Sequence, residues 1–383
     1  MKQSQDLIII GGGIMGLMTA YFASDFARNI TILEKRTISK ENKEAASFSF
    51  TRSIRVDFLE PLYAQLAYES QLLWLDLEKR SSDMLFVKCG CLNIAKKSIT
   101  PDFDKTYAQR SYQISKKLNY PQTAFTKFEL QKKFPQFDTD LGRLDTKGGF
   151  LFVPSITSFL LKILKKKNIR IEENIDVLTI AENKNIISIA TNNGAFTAKK
   201  IVLTPGKGTN DLLKRIKNNE LTFPITYSRP QRKYYYPDKK VIKNFLPENF
   251  PVFAYTDVGI YGHPIFDIKK GAVKVAYFEP VGMKKDEQKI RCVEDFVSEC
   301  LPGLKNAPSE EIKDADNCWY DIVSDDDFII GKLPKYDNII IGTGWRGTGY
   351  KFAPLIGKIL SQLALQNETV YDLKQFATKR FVK

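Results

Sequence analysis

Three glycines near the start of the chain have the spacing of a dinucleotide-binding turn. They are Gly11, Gly13 and Gly16, in the stretch LIIIGGGIMGLMTAYFAS. The first glycine permits a tight turn, the second lets the backbone approach a pyrophosphate, and the third allows a helix to pack closely on a strand. Glu34 follows Gly16 by 18 residues, where an acidic residue binds ribose hydroxyls. The spacing predicts a nucleotide site but does not separate NAD from FAD.

The elements around these glycines are those that such a site needs. Residues 6–10 and 29–33 are apolar and β-branched, which predicts two buried strands, and residues 17–26 predict the helix between them. The amides at the start of that helix favour phosphate. The alternative, an export signal, accounts for none of the downstream elements. We therefore expect this segment to stay on the mature protein, in the cytoplasm.

A second glycine-rich loop lies near the end of the chain. It stands between a predicted strand at 338–341 and a predicted helix at 351–365, and its glycines are Gly342, Gly344, Gly347 and Gly349. Bare backbone there lets a flat ligand approach, and the positive end of the helix suits the electron-rich pyrimidine edge of a reduced flavin. The alternative is an ordinary turn. Two nucleotide-type units at opposite ends favour one long cofactor, and FAD fits that better than NAD.

Composition argues against several classes of protein. The 383 residues are 43% hydrophobic, enough for two domains or one large one, and no stretch approaches the roughly 18 apolar residues of a membrane span. Five cysteines without a repeating spacing argue against a disulfide scaffold. His263 is the only histidine, so a histidine-rich metal site is not expected. Any chemistry is therefore expected to rely on a bound cofactor.

The net charge of +14 has two interpretations. The lysines are scattered along the chain, which is typical of a solvated surface, and a positive field can steer an anionic substrate. The alternative is a surface that binds nucleic acid. The basic and aromatic segment at 222–237 would be its strongest candidate, but we prefer to interpret that segment as a strand of a substrate domain.

Longer motifs make the chain similar to a known family. They are GGGIMG at the start, TRSIR at 51–55, GAVKVAYF at 271–278, NCWYDIVSDDDFIIG at 317–331 and GTGWRGTGYKF at 342–352. Together they resemble the monomeric sarcosine oxidase, N-methyltryptophan oxidase and pipecolate oxidase group of the D-amino-acid-oxidase-like flavoproteins, over nearly the whole chain.

The resemblance implies an α/β fold with two domains in an α+β arrangement. One is a Rossmann-like FAD-binding domain at 1–85, 146–220 and 320–383. The other is a substrate domain at 86–145 and 221–319, built on a mixed, mainly antiparallel sheet.

The resemblance also implies how the cofactor is held. FAD would be covalent through Cys318, although composition alone would predict a buried free cysteine at that position. The residues that match the family's cofactor contacts are Gly11, Gly13, Gly16, Glu34, Lys35, Arg52, Cys318, Gly344, Gly347, Thr348, Gly349 and Lys351.

Two cations match the family's catalytic residues. Arg52 would lie beside the flavin ring, and Lys274 would promote the reaction with oxygen. Lys274 lies in an alternating stretch that places it on one face of a strand with Ala276 and Phe278. A lysine that faces a flavin is costly to bury unless it is used; the alternative is a surface lysine.

Four residues match the family's substrate contacts. Arg55 and Lys351 would hold a carboxylate, Arg55 through a bidentate fork and Lys351 as a point charge. Tyr261 and Tyr320 would line the pocket, or could be ordinary core aromatics.

The chain also departs from the family pattern at three positions. Ser49 stands where a glycine is usual, and Phe278 and Thr348 stand where sarcosine oxidase has histidines. The loss of the two histidines and the bulk of Phe278 favour an amine that is larger or more apolar than sarcosine.

The implied activity is an FAD-dependent amine oxidase. It would oxidise a secondary or N-substituted amino acid to an imine, and O2 would reoxidise the flavin and yield H2O2. The alternatives are a deglycating fructosyl-amino-acid oxidase, an FAD-dependent amino-acid dehydrogenase and, remotely, a basic nucleic-acid-binding protein. The expected partners are a small carboxylate-bearing substrate and O2, with no nucleic acid, metal or membrane, in a monomer or weak homo-oligomer.

Overall fold

The chain forms two compact units. The computed structural model describes residues 4–38, 45–266, 271–279, 288–311 and 319–382. Unit 1 comprises Met1–Ser49, Val153–Ser228 and Ala315–Lys383, and unit 2 comprises Phe50–Phe152 and Arg229–Asp314.

The described strands are, in chain order, β1 (Gln5–Ile10), β2 (Ile30–Leu33), β3 (Thr51–Ile54), β4 (Phe86–Val87), β5 (Cys91–Ala95), β6 (Gln122–Phe125), β7 (Leu141–Asp145), β8 (Gly149–Phe152), β9 (Arg170–Glu172), β10 (Val177–Asn183), β11 (Ile186–Thr191), β12 (Gly194–Leu203), β13 (Ile225–Ser228), β14 (Gln231–Tyr235), β15 (Val252–Tyr255), β16 (Ile260–His263), β17 (Val273–Tyr277), β18 (Ser309–Glu310), β19 (Tyr320–Val323), β20 (Ile329–Lys332) and β21 (Ile339–Thr343). The described α-helices are α1 (Ile14–Ala23), α2 (Pro61–Arg80), α3 (Tyr107–Lys117), α4 (Lys127–Lys133), α5 (Val153–Lys166), α6 (Thr209–Leu213), α7 (Val293–Cys300) and α8 (Ala353–Leu365).

Unit 1 is built on a sheet with a parallel centre. Its parallel strands are, from one edge inward, β9, β2, β1, β12 and β21. β10 and β11 extend the sheet antiparallel from the first half of β12, and β20 pairs antiparallel with β21. β1 is buried from Leu7 to Ile10, which is typical of a parallel strand covered on both faces. The Rossmann-like part of the fold prediction is therefore confirmed.

The helices of unit 1 pack closely beside this sheet. α1 contacts β1 and β2, and it also packs against α5 and α8. At the α1–α8 crossing, a Cβ added to Gly357 would lie 2.6 Å from the carbonyl carbon of Met18. The close approach of these two helices therefore depends on a glycine.

Unit 2 contains an eight-stranded sheet in the order β18-β14-β17-β16-β15-β5-β7-β6. Every neighbouring pair is antiparallel except β15 and β5, so the sheet is mixed and mainly antiparallel, as expected. One face packs on an apolar core that includes Leu92, Phe253, Ile260, Val273 and Phe296. A second, three-stranded sheet has the order β3-β8-β4.

Two extended segments are each divided into two strands. Residues 86–95 form β4 and β5 in different sheets, and Gly90, with φ +79, turns the chain directly before β5. Residues 169–180 form β9 and part of β10, with Asn174 at φ 59 between them.

The unit boundaries also differ from the expected domain boundaries. Residues 50–85 and 146–152 belong to unit 2, because β3 and β4 both pair with β8. Residues 221–228 belong to unit 1, where β13 pairs with β19. The segment at 222–237 therefore supplies one strand to each unit.

Within the described residues, no helix has the length and apolar character needed to cross a membrane.

Gly357→Ala is expected to lower the free energy of unfolding by about 1–3 kcal/mol, because the added methyl group must displace the backbone at Met18. Helix propensity opposes this effect, since Ala is favoured over Gly in a helix interior by roughly 1 kcal/mol. Urea unfolding followed by circular dichroism measures the balance. Gly208→Ala is the control, because nothing lies within 4 Å of a Cβ at that position. A Gly357→Ala protein at least as stable as the wild type would contradict the tight α1–α8 crossing.

Candidate active site

The first glycine turn in unit 1 has the geometry that its sequence predicts. Gly11 follows β1 with φ +113, and a Cβ there would lie 2.3 Å from the carbonyl oxygen of Thr204. A Cβ on Gly16 would lie 1.9 Å from the carbonyl oxygen of Gly11. Gly13 is the N-cap residue of α1. The turn therefore tolerates no side chain at its two ends and brings the start of α1 against the end of β1.

An open cleft lies at this turn and is lined by Gly12, Gly13, Glu34, Ser47 and other residues of unit 1. The Gly12 amide donates to Oε2 of Glu34 at 2.6 Å, and the Arg36 amide donates to Oε1 at 2.9 Å. The carboxylate is thus fixed beside the turn. A cleft with a helix N-terminus, bare glycine backbone and a fixed carboxylate fits the phosphate and ribose of a dinucleotide.

Lys35 lies next to this carboxylate in sequence but forms an ion pair elsewhere in unit 1. Its Nζ is 3.2 Å from Oδ2 of Asp176, and Arg215 also pairs with that aspartate. Lys35 is therefore paired with the carboxylate of Asp176.

The second glycine loop is held by a buried carboxylate that the sequence did not reveal. The Gly344 amide donates to Oδ2 of Asp321 at 3.1 Å, and the Arg346 amide donates to the Asp321 carbonyl oxygen at 3.1 Å. Burial raises the pKa of Asp321 to about 6. The only signal in the sequence is an acid within the apolar strand that follows Tyr320.

Tyr320 itself packs on this loop. Gly347 has φ +66, and a Cβ there would lie 2.4 Å from Cδ1 of the Tyr320 ring. Lys351 lies in the short turn Gly349–Phe352 and is buried, and its Nζ donates to the Thr348 carbonyl oxygen at 3.1 Å. Unit 1 therefore brings Tyr320, Gly347, Thr348 and Lys351 together.

Cys318 lies outside the described residues. The described cysteines, which are Cys89, Cys91, Cys292 and Cys300, are free thiols. No group of three or more His, Cys, Asp or Glu side chains suited to a metal ion occurs in the described parts of the chain.

In unit 2, the face of the large sheet opposite its apolar core carries polar side chains, and we call it the polar face. Lys274 lies on it and is 0% exposed. It is in register with Tyr234 on β14 and His263 on β16. Val273 and Val275 point into the apolar core, as the alternation predicts. Strand register places ten residues on the polar face: Cys91, Asn93, Arg232, Tyr234, Val252, Ala254, Tyr261, His263, Lys274 and Ala276.

His263 ties the polar face to the strand that carries Arg52. Its Nδ1 is 2.6 Å from Oγ1 of Thr51, and its Nε2 is 2.8 Å from Oγ of Ser53. Both hydroxyls lie on one face of β3, so the side chain of Arg52 leaves from the other face. Sequence reasoning used His263 only to argue against metal sites, because its partners are more than 200 residues away along the chain.

Arg55 is part of a charged cluster in which it is partly buried, with 13% of its side chain exposed, and its partner Asp57 is buried. Its Nη1 donates to Oδ2 of Asp57 at 2.8 Å and to the Tyr107 hydroxyl at 3.2 Å. The Asn93 side-chain amide donates to the same Asp57 oxygen. Burial lowers the pKa of Arg55, but Asp57 and Tyr107 oppose it and the net shift is upward. Arg55 therefore remains a cation.

Asp145 completes the cluster. Its Oδ2 accepts from the Val56 amide at 3.1 Å, and its Oδ1 accepts from the amides of Lys147 and Gly148. Burial and, to a smaller extent, the neighbouring Asp57 raise the pKa of Asp145 to about 7. The sequence did not predict Asp57, Asn93, Tyr107 or Asp145, because no motif links them.

Tyr261 lies on the polar face between two other rings. Its centroid is 6.1 Å from that of His263 and 6.4 Å from that of Phe278. Unit 2 thus groups Tyr261 and Lys274 on one sheet face. Arg52 lies on a strand that is hydrogen-bonded to that face through His263. Arg55 is bonded to Asp57, and Asn93 of the same face contacts Asp57.

Comparisons with known proteins identify the family of the chain. The sequence profile of the FAD dependent oxidoreductase (DAO) family matches residues 6–363. Peroxisomal sarcosine oxidase from Homo sapiens is 26% identical over 399 residues, covering 99% of this chain and 97% of that protein. N-methyl-L-tryptophan oxidase from Yersinia pestis (strain Pestoides F) is 24% identical, covering 98% and 99%. The crystal structure of L-proline dehydrogenase from P. horikoshii has a TM-score of 0.80 at 19% identity, covering 100% and 98%.

The match to the family profile includes both glycine loops, the buried Lys274 and the Arg55 cluster. With these matches over almost the full length, the chain belongs to the FAD dependent oxidoreductase (DAO) family.

Proposed function

We propose that the protein is an amine oxidase that converts a secondary or N-substituted amino acid to an imine, with O2 as the electron acceptor and H2O2 as the product. The observation that carries this proposal is the complete burial of Lys274 on the polar face. Desolvating an ammonium costs several kcal/mol, so the burial of a lysine there indicates that its charge has a function. Two relatives are named as oxidases of sarcosine and of N-methyl-L-tryptophan, which supports an N-methyl amino acid type of substrate.

The residues of unit 1 that we expect to hold FAD are those of the two glycine loops. The backbone of Gly11, Gly13 and Gly16 would lie against the pyrophosphate. Glu34 would bind the ribose, and the loop Gly344–Gly349 would lie against the flavin. Bound FAD supplies a two-electron acceptor. The carboxylates of Glu34 and Asp321 would keep the loop amides in place for it.

Arg55 and Lys351 are the proposed partners of the substrate carboxylate. Among the described residues, only the Nη1 corner of Arg55 is hydrogen-bonded to protein. Its Nε and Nη2 can therefore present a bidentate fork to a carboxylate. Asp57 would act as a positioning residue, because it fixes the guanidinium from the side away from that fork.

Lys274 and Arg52 are the proposed catalytic cations. As oxygen takes up electrons it becomes negatively charged, and a fixed ammonium stabilises that charge without reorganisation. His263 would position Arg52 through its bonds to Thr51 and Ser53.

We also propose that Cys318 carries the covalent link to FAD. The Nζ of Lys207 lies 3.8 Å from the ring centroid of Trp319, the residue that follows Cys318. A cation close to this part of the chain supports a thiolate. The bond would replace the thiol hydrogen and one hydrogen of the flavin 8α carbon, and oxygen would accept the two electrons and two protons.

The proposed activity predicts that N-methyl amino acids bleach the flavin absorbance of the purified protein without oxygen and yield H2O2 in air. Stopped-flow absorbance and a peroxidase-coupled assay measure the two half-reactions. Bleaching without peroxide would identify a dehydrogenase, and turnover of fructosyl-amino acids alone would identify a deglycating oxidase. Either result would contradict the proposal.

Lys274→Met is expected to slow the reaction of the reduced protein with O2 by about 10²–10³-fold, the cost of losing one preorganised electrostatic group. The rate of anaerobic bleaching by substrate should change much less, since that half-reaction places no charge on oxygen. Lys233→Met, on the neighbouring strand but paired with Glu294, is the control and should leave both rates unchanged. Equal losses in both half-reactions would contradict this role of Lys274.

Cys318→Ser is expected to release all yellow colour into the supernatant on acid precipitation, while the wild-type pellet stays yellow. The absorbance of pellet and supernatant near the flavin maximum is the measurement. Cys292→Ser is the matched control, because Cys292 lies in unit 2, and its pellet should stay yellow. A colourless wild-type pellet would disprove the covalent link but not the use of FAD.

A further inference from the structure

Arg232 is a buried cation on the polar face that the proposed function does not use. It is 2% exposed, and it lies on β14 directly opposite Ala276 on β17. Its Nε and Nη1 are buried and have no hydrogen-bond partner among the described residues. Burying such a charge without a counterion costs several kcal/mol. An anion bound to the guanidinium would offset that cost.

The neighbouring residues of β14 show that this burial is specific to one side of the strand. Gln231 and Lys233 point to the opposite face, where both contact Glu294 of α7. Tyr235 on that same side enters the apolar core. Arg232 and Tyr234 therefore face away from the described acids of α7.

No described acid on the polar face neutralises Arg232. Glu310 is in register with Tyr234 on the edge strand β18, but it is exposed and accepts from the Tyr236 hydroxyl. Asp57 is engaged by Arg55 and Asn93. Arg55 thus has its own counterion within the protein, whereas no described residue supplies a hydrogen-bond partner for Nε and Nη1 of Arg232.

The residue beside Arg232 on the next strand is small. Ala276 separates Arg232 from Tyr261, which is in register with Ala276 on the far side. With strands spaced about 4.7–4.9 Å apart, the backbones of β14 and β16 are roughly 10 Å apart, and only the methyl group of Ala276 stands between the two long side chains. Lys274 is a diagonal neighbour of Arg232, at about 7–8 Å. An anion at Arg232 would therefore lie on the same sheet face as the cation proposed to act on oxygen.

From this arrangement we infer that Arg232 binds a second acidic group of the substrate. The inference rests on the proposed function and narrows it: the substrate is an N-substituted amino acid with two carboxylates, one held by Arg55 and the other by Arg232. Four strand spacings separate Arg232 from Asn93, beside which Asp57 and Arg55 lie, or roughly 19 Å between backbones. The two arginine side chains shorten that gap, so we expect several bonds between the two carboxylates. A net charge of +14 would favour the encounter with such a dianion.

The experiment uses the flavin-containing protein and a series of N-(ω-carboxyalkyl)glycines with spacers of one to five carbons. Each is paired with its ω-amide, which has the same shape but no second charge. The kcat/KM ratio of acid to amide is measured for the best spacer. We expect this ratio to exceed 1 in the wild type and to fall by about 10–150-fold in Arg232→Met, the range for a hydrogen bond to a charged group. Lys233→Met removes a cation from the same strand but from the other face, and its ratio should equal the wild-type value.

Two further measurements separate the possible outcomes. Arg232→Lys keeps the charge and should recover part of the acid-to-amide ratio. In a second measurement, the flavin spectrum of the wild type follows the binding of adipate and of its monoamide. This comparison tests the preference for a second carboxylate without turnover or mutation. Equal binding of the two, or a ratio near 1 at every spacer, would overturn the inference, and so would an unchanged ratio in Arg232→Met. If the inference fails, bleaching by sarcosine or N-methylalanine in the same protein would still support the proposed function. If no amine bleaches the flavin, both the inference and the proposed function are wrong.

Discussion

The cost of burying charge on one face of the unit 2 sheet is the constraint on which this structure depends. Lys274 is 0% exposed, Asp57 and Asp145 are buried close to the same face, and Asp57 pairs with the partly buried Arg55. Such groups persist only when hydrogen bonds or partner charges offset their desolvation. Much of the surrounding structure meets that need: Tyr107 and Asn93 bond to the Arg55–Asp57 pair, and three backbone amides bond to Asp145. Arg232 is informative because its buried Nε and Nη1 have no hydrogen-bond partner among the described residues.

Unit 1 solves a different problem, the approach of a large cofactor to bare backbone. Each of its two glycine loops is anchored by its own carboxylate. Glu34 accepts a hydrogen bond from the Gly12 amide, and Asp321 accepts one from the Gly344 amide. An anchored loop keeps its amides preorganised, so binding does not have to order them. The same physical device thus recurs at opposite ends of the chain, once at the proposed ribose and once at the proposed flavin.

The sequence predicted the features that depend on local spacing. The glycine turn, the strand before it and the position of Glu34 follow from short-range pattern, and the alternation at 273–277 correctly assigns the face of Lys274. Contacts between distant segments could not be predicted, such as those of His263 with Thr51 and Ser53. Arg232 was hidden for another reason. It lies between Gln231 and Lys233 in a basic segment, and the two sides of β14 can be told apart only once α7 is seen to cover one of them.

The most direct test of this account is a crystal structure of the flavin-containing protein with a carboxylate analogue of an N-methyl amino acid that lacks the amine. The account predicts a carboxylate bound by Nε and Nη2 of Arg55, on the polar face that carries Lys274, with Asp57 still bonded to Nη1. A ligand bound away from that face, or one that reaches the flavin without contacting Arg55, would contradict it.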